Sequence, residues 1–132
     1  MWKGADCSQE AFIANGPGLN YTATIHGNMW AYVQHESNVD NWELIIRRIK
    51  NNFPYTIYIS EGKDSDPNPF NFDMKLKPRG MSVALTRDIV GYNNFVIAVY
   101  IEAYTEISNE DHVEAIEFMT ILRSNKKGFL NY

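Results

Sequence analysis

The chain has 132 residues, 45% hydrophobic and 21% charged, which suits one domain over 1–132 and is too apolar for a disordered segment. Twelve basic against sixteen acidic residues leave a net charge of −4, the reverse of what a sequence-independent grip on nucleic-acid phosphate needs. No apolar run approaches the roughly 18 to 20 residues of a transmembrane helix, MWKGADCSQE lacks the order of a secretory signal, and the single Cys7 fits a reducing compartment.

Residues 2–14, WKGADCSQEAFIA, are expected to form a short helix stopped by Gly16, Pro17 and Gly18. LNYTATIHGNMWAYVQH then reads as a hairpin, with strands near 20–26 and 29–35 around a His26-Gly27-Asn28 turn. The next segment carries the clearest helical pattern. Asp40 and Glu43 have capping-box spacing, and Trp42, Ile45, Ile46, Ile49 and Phe53 recur on one helical face before Pro54.

YTIYIS at 55–60 is β-branched and aromatic, so it reads as a strand. EGKDSDPNP at 61–69 is charged and turn-forming, and is expected to be a mobile surface loop. Phe70, Phe72, Met74 and Leu76 alternate with polar residues, the mark of a half-buried strand. Strands follow at 81–87 and in FVIAVYIEAY, the most apolar run and a candidate for the sheet centre. Ser108 with Asp111 opens a final helix, in which Ala115, Phe118, Met119 and Leu122 make the better stripe and Gly128 is the stop. The expected fold is therefore α/β (α+β): a largely antiparallel sheet of about six strands, terminal helices on one face and a further helix on the other.

Motifs for chemistry are sparse. The sequence contains no phosphate-cradling glycine loop, no paired zinc-ligand spacing and no nucleophile elbow. His26, His35 and His112 are scattered, and nothing near Cys7 would lower its pKa. Asp64, Asp66 and Asn68 are spaced like the opening of a calcium loop, but Pro67 and Pro69 interrupt it. No enzyme, metal or cofactor is expected. Aromatic residues, 14% of the chain, suggest a contact surface instead. Trp2, Trp30, Phe129 and Tyr132 would suit a groove for stiff proline-rich ligands; packing of Trp30 under the first helix, with a disordered tail, is the open alternative.

In element order the chain resembles profilin. Profilins begin with a tryptophan-bearing helix and a hairpin whose second strand has a Val-Trp-Ala-like step, matched here by Trp2 and Met29-Trp30-Ala31. They end with a strand, a turn and a helix closing on an aromatic residue, similar to VIAVYIEAYTEISNEDHVEAIEFMTILRS and Tyr132. The drift elsewhere would suit a distant, archaeal-type member. The resemblance implies a cytoplasmic, monomeric actin-monomer binder of the cytoskeleton that regulates filament assembly. Proline-rich segments and phosphoinositide head groups are further implied partners. Carried over by residue, actin would meet Lys75, Arg79, Arg87, His112, Val113, Ile116 and Glu117, and polyproline would meet Trp2, Trp30, Leu122 and Tyr132.

Two rivals remain. An immunity or inhibitor protein would block a basic site on a toxin or enzyme with acids such as Glu61, Asp64 and Asp66, or Glu106, Glu110, Asp111 and Glu114. A small NTF2-like enzyme would need a deep cavity with converging polar groups.

Overall fold

The computed structural model describes residues 2–3, 9–16, 18–26, 30–48, 55–62, 64–101 and 113–122. Among them the chain forms β1 (Trp2–Lys3), β2 (Gln9–Glu10), β3 (Phe12–Ala14), β4 (Asn20–His26), β5 (Trp30–His35), β6 (Trp42–Arg48) and β7 (Tyr55–Glu61). Then come β8 (Met74–Leu76), β9 (Ser82–Thr86), the four-residue helix α1 (Arg87–Val90), β10 (Phe95–Ile101) and β11 (Val113–Leu122). The expected helix-rich α/β architecture is thus overturned: the described residues are mostly strand.

Two of the expected helices fail for a readable reason. In β6, Trp42, Leu44, Ile46 and Arg48 are buried while Glu43, Ile45 and Arg47 are more exposed, a period of two. Leu44, which the helical stripe leaves aside, has no exposed surface. The adjacent Ile45 and Ile46 imitate a helical face because the outer side of the strand is itself partly apolar. Asp40 is no cap; its Oδ1 accepts a hydrogen bond from Asn93 Nδ2 at 2.7 Å. In β11, Ile116, Phe118 and Thr120 are buried and alternate with Glu117, Met119 and Ile121. The N-terminal helix is replaced by β1 paired antiparallel with β2, followed by β3. Residues 49–54, 102–112 and 123–132, which carry the remaining helical signals, lie outside the described residues.

The strands form a five-stranded sheet, β3-β5-β10-β7-β8, and a four-stranded sheet, β4-β11-β6-β9. Apart from the parallel β3–β5 pair, all neighbours are antiparallel. The expected hairpin of β4 with β5 does not form, because the two consecutive strands lie in different sheets. Instead the pairs are nested: β7 with β8, β6 with β9, β5 with β10 and β4 with β11. Such nesting arises when one long antiparallel ribbon is rolled over on itself. It defines the double-sheet jelly roll.

The sheets meet through one core. Val33, Ile57, Ile59, Phe95, Ile97 and Val99 of the larger sheet pack with Leu44, Ile46, Leu85, Ile116 and Phe118 of the smaller. The outer face of the larger sheet is also covered, by rings rather than by a helix. Tyr32, Tyr58 and Ala98 are buried there with Ala11, and Trp30 and Tyr100 pack against them. Trp30 lies 4.8 Å from Tyr100 and 5.8 Å from Tyr58, centroid to centroid.

Candidate functional site

Register places one set of chain reversals at a common end of the sandwich. Phe95 opposes both His35 and Glu61, Leu122 opposes Trp42, Met119 opposes Asn20, and Thr86 opposes Glu43. The connections 15–19, 36–41, 62–73 and 87–94 therefore leave the sheets together.

Thr120 fixes the first of these connections. Its hydroxyl donates to the Gly16 carbonyl at 2.6 Å and accepts from the Leu19 N–H at 3.2 Å, and its carbonyl accepts from the Gly18 N–H at 2.6 Å. Gly18 has φ +79°, a left-handed conformation in which a side chain would be strained.

A ring cluster fixes the second and fourth. His35 stacks on Phe95 at 4.6 Å and lies 4.4 Å from Trp42. Its Nδ1 is 3.0 Å from the Asn93 carbonyl, which can only accept, so Nδ1 carries the proton. Trp42 Nε1 donates to Asn93 Oδ1 at 2.8 Å. Burial holds the His35 pKa below its ordinary 6.5, against the opposing pull of the Asn93 carbonyl and the Glu36 charge. His35 is thus held neutral, as a structural pin.

Two clefts flank the 36–41 connection. One of about 450 Å³ is lined by Asn15, Glu36, Ser37, Asn38, Gly62 and Asn94. Another of about 250 Å³ shares Asn15, Glu36, Ser37 and Asn38 and adds apolar walls from Val39, Trp42, Ile121 and Leu122.

The described residues of loop 61–73 are linked by a set of hydrogen bonds. Gly62 N–H donates to the Asn94 carbonyl at 2.9 Å, and Glu61 N–H donates to Asp73 Oδ2 at 2.9 Å. Asp73 N–H donates to the Ile59 carbonyl at 2.9 Å. The Ser65 hydroxyl donates to the Glu61 carbonyl. At the tip, Asn68 and Asn71 exchange backbone hydrogen bonds of 3.0 and 3.1 Å, and Asn68 Oδ1 accepts from the Phe70 N–H at 2.8 Å. That side-chain turn and Pro69 set the tip, so the alternating strand expected from Phe70 begins only at Met74. Phe72 rests against Tyr58 at 5.3 Å. Phe70 is 96% exposed.

Residues proposed for actin are scattered. Ile116 is sealed in the core, and Glu117 is bonded to Arg47 at 2.6 Å on the outer face of the smaller sheet. Lys75 lies 5.7 Å over the Tyr58 ring, Arg79 is exposed in the turn at the opposite end, and Arg87 stands 3.9 Å from Asp40. Val113 is placed by its backbone alone, and His112 lies outside the described residues. Of the polyproline set, Trp30 is on the larger sheet and Leu122 at the far end of the smaller one, so they do not share a groove. Nothing is described for the Trp2 side chain or for Tyr132. Among the described residues no group of three or more His, Cys, Asp or Glu could hold a metal ion, and Asn68 of the calcium-like spacing is spent on its own turn.

Sequence reasoning named Glu61, Asp64 and Asp66 but missed Phe70, whose even spacing with Phe72 placed it on a strand. It also missed Asn15, Asn38, Asn93 and Asn94. The only signal for these was the asparagine, serine and glycine content of NGPG, HESNVDN and GYNN at strand ends. No protein-family model and no curated protein matches the chain. The class it can be given rests on topology, a jelly roll with a braced, acidic loop at one end. The helices that carried the likeness to profilin at both chain ends are strands where they are described.

Proposed function

We propose that this chain is a binding protein that docks onto a partner protein through loop 61–73, with Phe70 as the anchor. The observation that carries the reading is a large apolar ring, 96% exposed, on a turn closed by side-chain and backbone hydrogen bonds of Asn68. An exposed phenylalanine with no role in the core gains nothing by staying in water. Fully burying it in a partner's pocket contributes about 1.5–3 kcal/mol, and a pre-set turn loses little freedom on binding.

The rim supports a choice of partner. Glu61, Asp64, Asp66 and Asp73 are exposed, and Lys63 is the one basic residue in the sequence of the loop. The complementary surface is an apolar pocket with a basic rim, the arrangement expected of an inhibitor or immunity protein covering a cationic site.

A photoreactive phenylalanine analogue at position 70 should crosslink to one protein that an analogue at position 79 does not capture. Phe70→Ala should weaken that complex by about 10- to 100-fold, and Asp64→Lys with Asp66→Lys should slow its association and flatten its salt dependence. Unchanged affinity of Phe70→Ala for every protein captured at position 70 would overturn the reading.

A further inference from the structure

A second surface at the same end of the sandwich carries different chemistry. The 450 Å³ cleft lies within the size range of small-molecule sites, roughly 300–1,000 Å³, and its described lining holds one carboxylate and no Lys, Arg or His. Its side-chain groups are the amides of Asn15, Asn38 and Asn94, the Ser37 hydroxyl and the Glu36 carboxylate.

The Ser37 hydroxyl donates to the Val39 carbonyl at 2.8 Å and accepts from the Val39 N–H at 3.2 Å; the three amides and the carboxylate have capacity to spare. Asn94 Oδ1 accepts from the Ser37 N–H at 3.2 Å, and its amide nitrogen has no partner among the described residues. The side chains of Asn15 and Asn38 make no hydrogen bond among the described residues. Glu36 uses Oε2 for Gln34 Nε2 at 2.6 Å, leaving Oε1.

That lining discriminates between ligand classes. An anion would face the Glu36 carboxylate, with no Lys, Arg or His among the described lining residues to meet it. A purely apolar ligand would strip water from three amides and a carboxylate without replacing its hydrogen bonds. An extended peptide that binds by strand addition needs a free sheet edge, whereas this cleft lies between loops at the strand ends. A neutral polyhydroxylated ligand answers the lining, because each hydroxyl both donates and accepts and each amide does the same. The adjoining 250 Å³ cleft completes the match. Val39 and Leu122, 46% and 48% exposed, line it and offer apolar contact for the C–H face of a sugar ring. From this juxtaposition we infer that the paired clefts around Ser37 and Asn38 bind a neutral carbohydrate.

The experiment follows the amide signals of the ¹⁵N-labelled protein by NMR during titration with cellotriose, maltotriose and diacetylchitobiose, with tripolyphosphate as the charged control. At least one sugar should shift the side-chain amides of Asn15, Asn38 and Asn94 with a dissociation constant on the order of 1 mM or tighter. Asn38→Ala, whose side chain makes no hydrogen bond among the described residues, should weaken this at least about tenfold, the scale of a lost hydrogen-bonding group. Phe70→Ala should bind the sugar as the parent does, which separates this site from the docking loop. Absence of any sugar-induced shift at about 20 mM would overturn the inference, a bound of the order set by weak-site affinities. So would parental binding by Asn38→Ala, or tripolyphosphate binding more tightly at the same amides.

Discussion

In the five-stranded sheet, β10 and its neighbours β5 and β7 are buried along most of their length on both faces; in the four-stranded sheet, β6 and β11 are buried on one face and half-open on the other. The difference lies in what covers the outside. Trp30, Tyr32, Tyr58 and Tyr100 roof the larger sheet around the small Ala98, a second apolar layer built from the strands' own side chains. The smaller sheet turns Arg47, Glu117 and Ile45 outward, with the Arg47–Glu117 ion pair between strands. A sheet closed on both sides is a scaffold, and its connecting loops are where it can meet other molecules.

The contrast can be broken most severely inside β6. Leu44→Asp should abolish cooperative folding, because it buries an unpaired carboxylate in the shared core. Ile45→Asp, one residue away on the half-open face, should cost less than about 1.5 kcal/mol in urea unfolding. A helix at this position would predict the reverse order.

The aromatic roof can be tested with Ala98→Leu, which adds three carbons under Trp30 where no space is exposed. It should lower stability by about 1–3 kcal/mol through overpacking, whereas the same change at the exposed Ala84 should be near neutral; calorimetry reads both.

His35 joins the two sheets, and its response to pH has a definite sign. Burial keeps its folded pKa below 6.5, so its contribution to stability is complete above the unfolded value. It is lost as pH falls from about 6.5 towards the folded pKa, because the unfolded chain takes up the proton first. His35→Gln should remove that portion of the pH dependence, measurable by denaturation at pH 7.5 and pH 5.

The smallest effect belongs to the open face. Arg47→Ala should cost about 0.2–1 kcal/mol, since the Arg47 side chain is 52% exposed, and salt should reduce the difference further.

What the sequence disclosed follows the same divide. β7 and β10 were legible because YTIYIS and FVIAVYI are unbroken β-branched and aromatic runs, too short for a helix and bounded by turn formers. β6 and β11 misled because residues such as Ile45, Met119 and Ile121 face the open side, and an apolar residue there blurs a period of two into one near 3.6. The long-range order was not legible at all. Nothing in β4 and β5 announces that successive strands join different sheets, since that choice depends on partners β11 and β10 far along the chain. Within the candidate site, the acids of loop 61–73 were legible as charge. The exposure of Phe70 depended on one asparagine side chain capturing one N–H, which spacing does not reveal.

The position of the last described strand sets the order in which this molecule can be assembled. β11 lies between β4 and β6, and Thr120 clips Leu19 across 101 positions of sequence. During synthesis β4 has no neighbour in its sheet among the described strands until β11 has left the ribosome, so half of the sandwich must wait with an open seam. A nascent chain arrested before that point would hold the innermost β7–β8 pair and expose the hydrophobic lining of the unfinished half to chaperones.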